Sequence, residues 1–212
     1  MSLVSNLFLL FVAASVLVYY IVPHKFQWLV LLCFSYIYYL AGGVRYVGFL
    51  LFSTLITWLI ALAVEKTEAK GSHKGARNLL VLGLLLNFGM LGVVKYTNFA
   101  IENLNALFHM NLRGMEILLP LGISFYTFQS SGYLLDVYWK RCEAEKNPVK
   151  YALFVSFFPQ ILQGPIGRYS RLAHQLYEPH KFEGKNITRG FERILWGFFK
   201  KMILADWAAV FV

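Results

Sequence analysis

From residue 1 to residue 64 the only Lys, Arg, Asp or Glu residues are Lys25 and Arg45. A run this long with so little charge cannot be dissolved as a water-exposed surface, and it is too long to be a single buried core helix. It therefore divides into membrane spans. The crowded stretch that follows, with Glu65, Lys66, Glu68, Lys70, Lys74 and Arg77, reads as a loop between spans. The rest of the chain agrees: 58% of residues are hydrophobic and 15% charged, and the mean hydropathy is +0.55. A soluble domain carries about a quarter charged residues.

The net charge of +9 does not require a nucleic-acid partner, and none is expected. The basic residues lie in loops beside apolar segments, where the positive-inside bias accounts for them, and not on one face of a soluble fold. Cys33 lies within an apolar span and Cys142 within a charged loop, which is neither a disulfide framework nor a zinc-site spacing. The first apolar run lacks a basic leader and a small-residue cleavage site, so it reads as a retained helix.

The expected architecture is an all-α, polytopic transmembrane helical bundle forming a single membrane domain. Spans are expected at about 3–22, 26–40, 46–64, 79–94 and 117–139. Residues 95–114 mix Lys95, Glu102 and Arg113 with Tyr96, Phe99 and Phe108 at helical spacing, and read as an amphipathic interfacial helix. Residues 151–163 are short for a span and carry Pro159, and read as a re-entrant element. Residues 187–204 place apolar side chains at 187, 191, 194, 195, 198 and 202 with basic residues on other faces, and read as a second interfacial helix or a span with a snorkelling basic end. A further span opening near 203 stops inside an apolar run, so the chain is read as the N-terminal part of a longer protein. Counting Lys and Arg places the loops at 25, 65–77 and 140–146 in the cytoplasm and the N-terminus outside, in a multi-pass topology.

Polar side chains stand out inside this apolar frame. Gln129, Asp136, Gln160, Gln163 and Arg168 lie in or beside segments able to enter a bilayer, where an unpartnered amide or ion is costly and usually faces protein interior or a path for substrate. Interhelical hydrogen bonding, worth about 1 kcal/mol each, explains them as well. Asp136 can pair with Lys140 one turn on. Lys200 and Lys201 suit anionic lipid headgroups, the simpler reading, or a phosphate-bearing donor.

Three passages carry a resemblance: LPLGISFYTFQSSGYLLDVYW over 119–139, SFFPQILQGPIGRY over 156–169, and NITRGFERILWGFFKKMILAD over 186–206. In order and spacing they resemble the membrane-bound O-acyltransferase family, in its bacterial branch that O-acetylates exported polysaccharides such as alginate. The resemblance implies an enzyme of the bacterial cytoplasmic membrane. It takes an acyl group from a cytoplasmic donor, acetyl-CoA or an acyl carrier, and delivers it toward a polysaccharide hydroxyl outside, with an extracytoplasmic acetylation protein as partner. No bound cofactor is implied. D-alanyl transfer to teichoic acid and peptidoglycan O-acetylation are near alternatives, and a non-catalytic scaffold or transporter-like subunit is the alternative of another class.

In that family the reaction centres on a membrane-embedded histidine, which can accept the hydroxyl proton as attack proceeds. His24, His73, His109, His174 and His180 all fall in loops or surface segments, and none matches that context. No catalytic residue is therefore assigned, and the chain alone is expected to be inactive. His174 and His180 are six apart and do not share a helix face, so no metal site is expected. Gln129, Asp136, Gln160, Gln163 and Arg168 are then implied to flank the family's tunnel and its cytoplasmic approach.

Overall fold

A computed structural model describes residues 5–108, 110–115, 119–161 and 164–208. They form helices α1 (Asn6–Ile21), α2 (Gln27–Gly42), α3 (Val44–Ala69), α4 (His73–Phe108), α5 (Ile123–Tyr138), α6 (Pro148–Ser156), α7 (Phe158–Ile161), α8 (Tyr169–Tyr177), α9 (Gly184–Phe199) and α10 (Asp206–Ala208), with a 3-10 turn at His24–Phe26 and a π-helical stretch at Lys200–Ala205 joining α9 to α10. There is no strand among the described residues. The protein is an all-α membrane protein.

Among the described residues two helices are long and apolar enough to cross a bilayer, one over Tyr46–Ala69 and the other over His73–Phe108. Helices α1, α2 and α5 have 16 residues each, about 24 Å of helix against a hydrocarbon thickness of about 30 Å. The expectation of a separate interfacial helix over 95–114 is corrected. Helix α4 runs unbroken for 36 residues, about 54 Å, because nothing between Val94 and Phe108 is a helix breaker. Its buried stripe of Ala76, Leu80, Gly83, Asn87, Leu91 and Val94 ends where that amphipathic segment begins. The fifth helix begins at Ile123 rather than near 117, after Pro120, which has no N–H to donate, and Gly122, which takes a left-handed φ of +69°. Residues 116–118 lie outside the described residues, as do 162–163 and 209–212. The segment read as re-entrant is interrupted at Phe157, between α6 and α7.

The chain forms two compact units, residues 28–178 and residues 1–27 with 179–212. In the first, α3, α4 and α5 pack against one another, and α6 packs on α3, α5 and α8. The outward surface is apolar, with Leu55, Leu85 and Val93 more than half exposed, while Ser53, Thr54, Thr57 and Asn87 are buried inside. Polarity turned inward under an apolar exterior is the arrangement a lipid solvent favours. Asn87 on α4 accepts from Ser53 Oγ at 2.8 Å and donates to Thr57 Oγ1 at 2.9 Å. With Ile60 against Gly83, these contacts set α4 antiparallel to α3. At Gly83 the helices are so close that a Cβ would come within 2.8 Å of Leu134 on α5 and 3.1 Å of Ile60 on α3.

In the second unit the buried Gln27 amide donates to the His180 carbonyl at 3.0 Å and accepts from the His180 N–H at 2.9 Å. The Tyr19 hydroxyl lies 3.0 Å from His180 Nδ1, and Tyr20 meets Phe182 edge to face.

Candidate functional site

The inner face of α5 is rich in hydroxyl and amide groups. Tyr126, Thr127, Gln129, Ser130, Ser131 and Tyr133 are all buried, in the first unit's core. Their periodicity is helical, which is why one face of a short, moderately apolar helix can carry them all without exposing any to lipid. Gln129 donates from Nε2 to the Phe154 carbonyl on α6 at 2.9 Å, and so ties the two helices. The hydroxyls of Thr127 and Ser131, and of Ser156 at the end of α6, have no hydrogen-bond partner among the described residues.

At its C-terminal end α5 closes with a Schellman motif. The Arg141 N–H bonds to the Asp136 carbonyl at 2.8 Å and the Lys140 N–H to the Val137 carbonyl at 3.0 Å. Lys140 takes the left-handed position, at φ 56°, where glycine is the usual residue. The expected Asp136–Lys140 pair does not form, because that conformation carries Lys140 away to Glu68 on α3, 3.2 Å from Oε1, and Asp136 faces Arg141 at 3.6 Å instead.

Residues 140–147 are then held from several sides. The Ala144 N–H bonds to Glu65 Oε1 at 2.9 Å, the Glu145 carbonyl accepts from Trp58 Nε1 at 2.7 Å, and the Glu145 N–H donates to the Tyr133 hydroxyl at 2.8 Å. Tyr169 on α8 donates to Glu145 Oε2 at 2.7 Å. Burial raises the Tyr169 phenol well above its ordinary range, with Tyr177 and Glu145 adding to it, so it remains a donor. Asn147 then caps α6, its Oδ1 accepting from the Val149 N–H at 2.9 Å, with Pro148 in the first turn where no N–H is needed. The C-terminal ends of α3 and α5 and the loop after α5 thus meet around an open cleft of about 470 Å³. Cys142 lines it, and burial followed by the nearby Asp136 and Glu65 charges pushes its thiol up to about 12.

Within this unit the sequence candidates Gln160 and Arg168 do not line the cleft. Gln160 folds over its own turn and donates to the Pro165 carbonyl. Arg168 is exposed at the start of α8, without a side-chain cap bond. Gln163 lies outside the described residues, and so does His109. Lys200 sits over the Trp196 ring at 5.9 Å, and Lys201 pairs with Asp206. His24, His73, His174 and His180 are exposed, and no metal-binding group of three ligands occurs among the described residues. Glu65, Glu68, Glu145 and Tyr169 were not singled out in the sequence. The available signal was a Glu65–Glu68 pair on the last turn of a helix otherwise apolar enough to span.

No family model matches the chain, and the comparison with solved structures found no match. Among curated proteins it is 34% identical to a probable alginate O-acetylase of Azotobacter vinelandii, over 95% of this chain and 41% of that protein. It is 35% identical to a probable alginate O-acetylase of Pseudomonas putida, over 97% of this chain and 43% of the relative. A peptidoglycan O-acetyltransferase of Helicobacter pylori is 32% identical, over 87% of this chain and 39% of that protein. The chain spans about two-fifths of the length of these relatives.

Proposed function

The chain belongs to the membrane-bound O-acyltransferase family, and from this membership we propose that it forms part of the membrane body of an enzyme that O-acetylates an exported polysaccharide. The observation that carries the proposal is the likeness to alginate O-acetylases along 95% or more of the chain, rather than at one motif. In this reading the donor, acetyl-CoA or an acyl carrier, approaches from the cytoplasm. The acceptor is an alginate-like polysaccharide outside, reached through an extracytoplasmic partner. The protein is multi-pass in the bacterial cytoplasmic membrane with its N-terminus outside. Meeting of the Glu65–Glu68 and Lys140–Ala144 segments supports one part of that topology, because the two loops read as cytoplasmic share one end of the unit.

The polar face of α5 is proposed to shape the acyl path, with Gln129 holding α5 to α6. The base that accepts the hydroxyl proton is proposed to lie outside this chain, since each described histidine is exposed to solvent rather than enclosed. The test is acetyl transfer from a radiolabelled donor to polysaccharide in proteoliposomes. A longer protein containing these residues should transfer label, and the 212-residue chain should not. Turnover by the 212-residue chain alone would overturn the assignment of the base.

A further inference from the structure

We propose that α9 lies flat in the bilayer interface and holds anionic phospholipid headgroups, of the phosphatidylglycerol class, along a ridge of Lys185, Arg189, Arg193 and Lys200. The inference rests on the membrane reading of the chain and is independent of acyl transfer. Helix α9 has 16 residues, and none of its side chains is buried. Ile187, Phe191, Ile194 and Leu195 follow one another at i, i+4, i+7 and i+8 and so share a face, on which Phe191 is 60% exposed. A continuous apolar face left this open calls for an apolar phase to cover it.

The opposite face decides which phase. Lys185, Arg189 and Arg193 are four apart, which sets them on one meridian at intervals of about 6 Å along the axis. Lys200, seven positions past Arg193, carries the line two turns further. All four are exposed, and Lys185, Arg189 and Arg193 enter no ion pair among the described residues. Glu192 is the one acidic residue of α9, so positive charge is in excess. Like charges four apart on a helix repel, and a surface of anions relieves them. Because Arg189 and Arg193 stand in the middle of the helix rather than at one end, a flat orientation is favoured over a crossing one. The apolar side chains then enter the acyl boundary while Lys and Arg reach the phosphates. Trp196 stands on the ridge side, stacked on Phe199 at 5.2 Å and beneath Lys200, a position suited to headgroup depth. Lys201 does not join the ridge. In the π-helical stretch the Asp206 N–H bonds to the Lys201 carbonyl, and the same five-residue spacing brings the Lys201 ammonium to the Asp206 carboxylate.

The 212-residue chain carrying Cys33→Ser, Cys142→Ser and Ile194→Cys is spin-labelled and placed in nanodiscs of phosphatidylglycerol or of phosphatidylcholine. In phosphatidylglycerol the label should be open to oxygen and shielded from a neutral nickel chelate. Nickel access should be at least about fivefold below that in phosphatidylcholine, the effect of one Lys or Arg beside an anionic surface. High salt should narrow the difference. Lys185→Gln with Arg189→Gln and Arg193→Gln, all at exposed positions, should abolish it, whereas Arg189→Lys with Arg193→Lys should retain it. Should the triple variant fail to reconstitute, native mass spectrometry of the unsubstituted chain should show phosphatidylglycerol retained over phosphatidylcholine, and no preference there would overturn the ridge. Equal nickel access in the two lipids, or a difference untouched by the triple substitution, would overturn it as well. A label closed to both oxygen and nickel would mean that protein covers the apolar face, a second copy or another part of a longer protein, and would overturn the lipid as its partner. Inorganic phosphate or polyglutamate that reproduced the effect in phosphatidylcholine would also overturn the lipid, assigning the ridge to a soluble anion or to an acidic protein.

Discussion

A Cβ built on Gly122 would lie 2.3 Å from the carbonyl oxygen of Ile161, so the turn that opens α5 and the end of α7 meet backbone to backbone. Gly122 also has a left-handed φ of +69°. Alanine there would have to displace a main chain and adopt a strained angle at once. Gly122→Ala should cost about 2–3 kcal/mol, read as a lower thermal midpoint in detergent. An unchanged midpoint would show that the two segments can separate freely.

Lys140 carries the opposite kind of strain, since a side chain stands where glycine fits. Comparing Lys140→Gly with Lys140→Ala removes the Glu68 contact in both and isolates the backbone effect. The glycine variant should be the more stable by about 1 kcal/mol, measured by denaturant unfolding in micelles. Equal stability of the pair would mean that the Schellman turn relaxes when the lysine is lost.

The Tyr169–Glu145 hydrogen bond joins α8 to the loop after α5. A double-mutant cycle with Tyr169→Phe and Glu145→Ala should give a coupling of about 1.5 kcal/mol, in the range for a bond to a charged acceptor. Additive single effects would reduce this contact to coincidence of position.

Cys142 should alkylate slowly and with an unusual pH profile. Burial, with Asp136 and Glu65 behind it, favours the neutral thiol and pushes its pKa to about 12. Thiolate is the reacting form, so in Cys33→Ser protein the rate should climb about tenfold per pH unit from 7 to 10 without levelling, whereas an ordinary thiol near 8.5 levels above about 9.5. A plateau below pH 10 would place the thiol in a far more open setting.

Much of this protein was legible in its residues because membrane solvent acts locally. A run of apolar side chains must be helical to satisfy its backbone in lipid, so the all-α class follows from hydropathy alone. The three passages over 119–206 carried the family.

Only the tertiary structure decided which polar group meets which. Spacing along one helix offered Asp136 to Lys140, but a left-handed turn sends Lys140 to Glu68, 72 positions away in the chain, and leaves Asp136 to Arg141. Gln129 and Asp136 were visible as polarity in an apolar segment, whereas Glu65 and Glu68 looked like solvated loop residues until α3 was seen to carry them to the end of α5. The physical reason is that burial of a charge depends on what packs over it. Here the close approach at Gly83 sets α3, α4 and α5 against one another, a relation between distant helices that no local pattern contains.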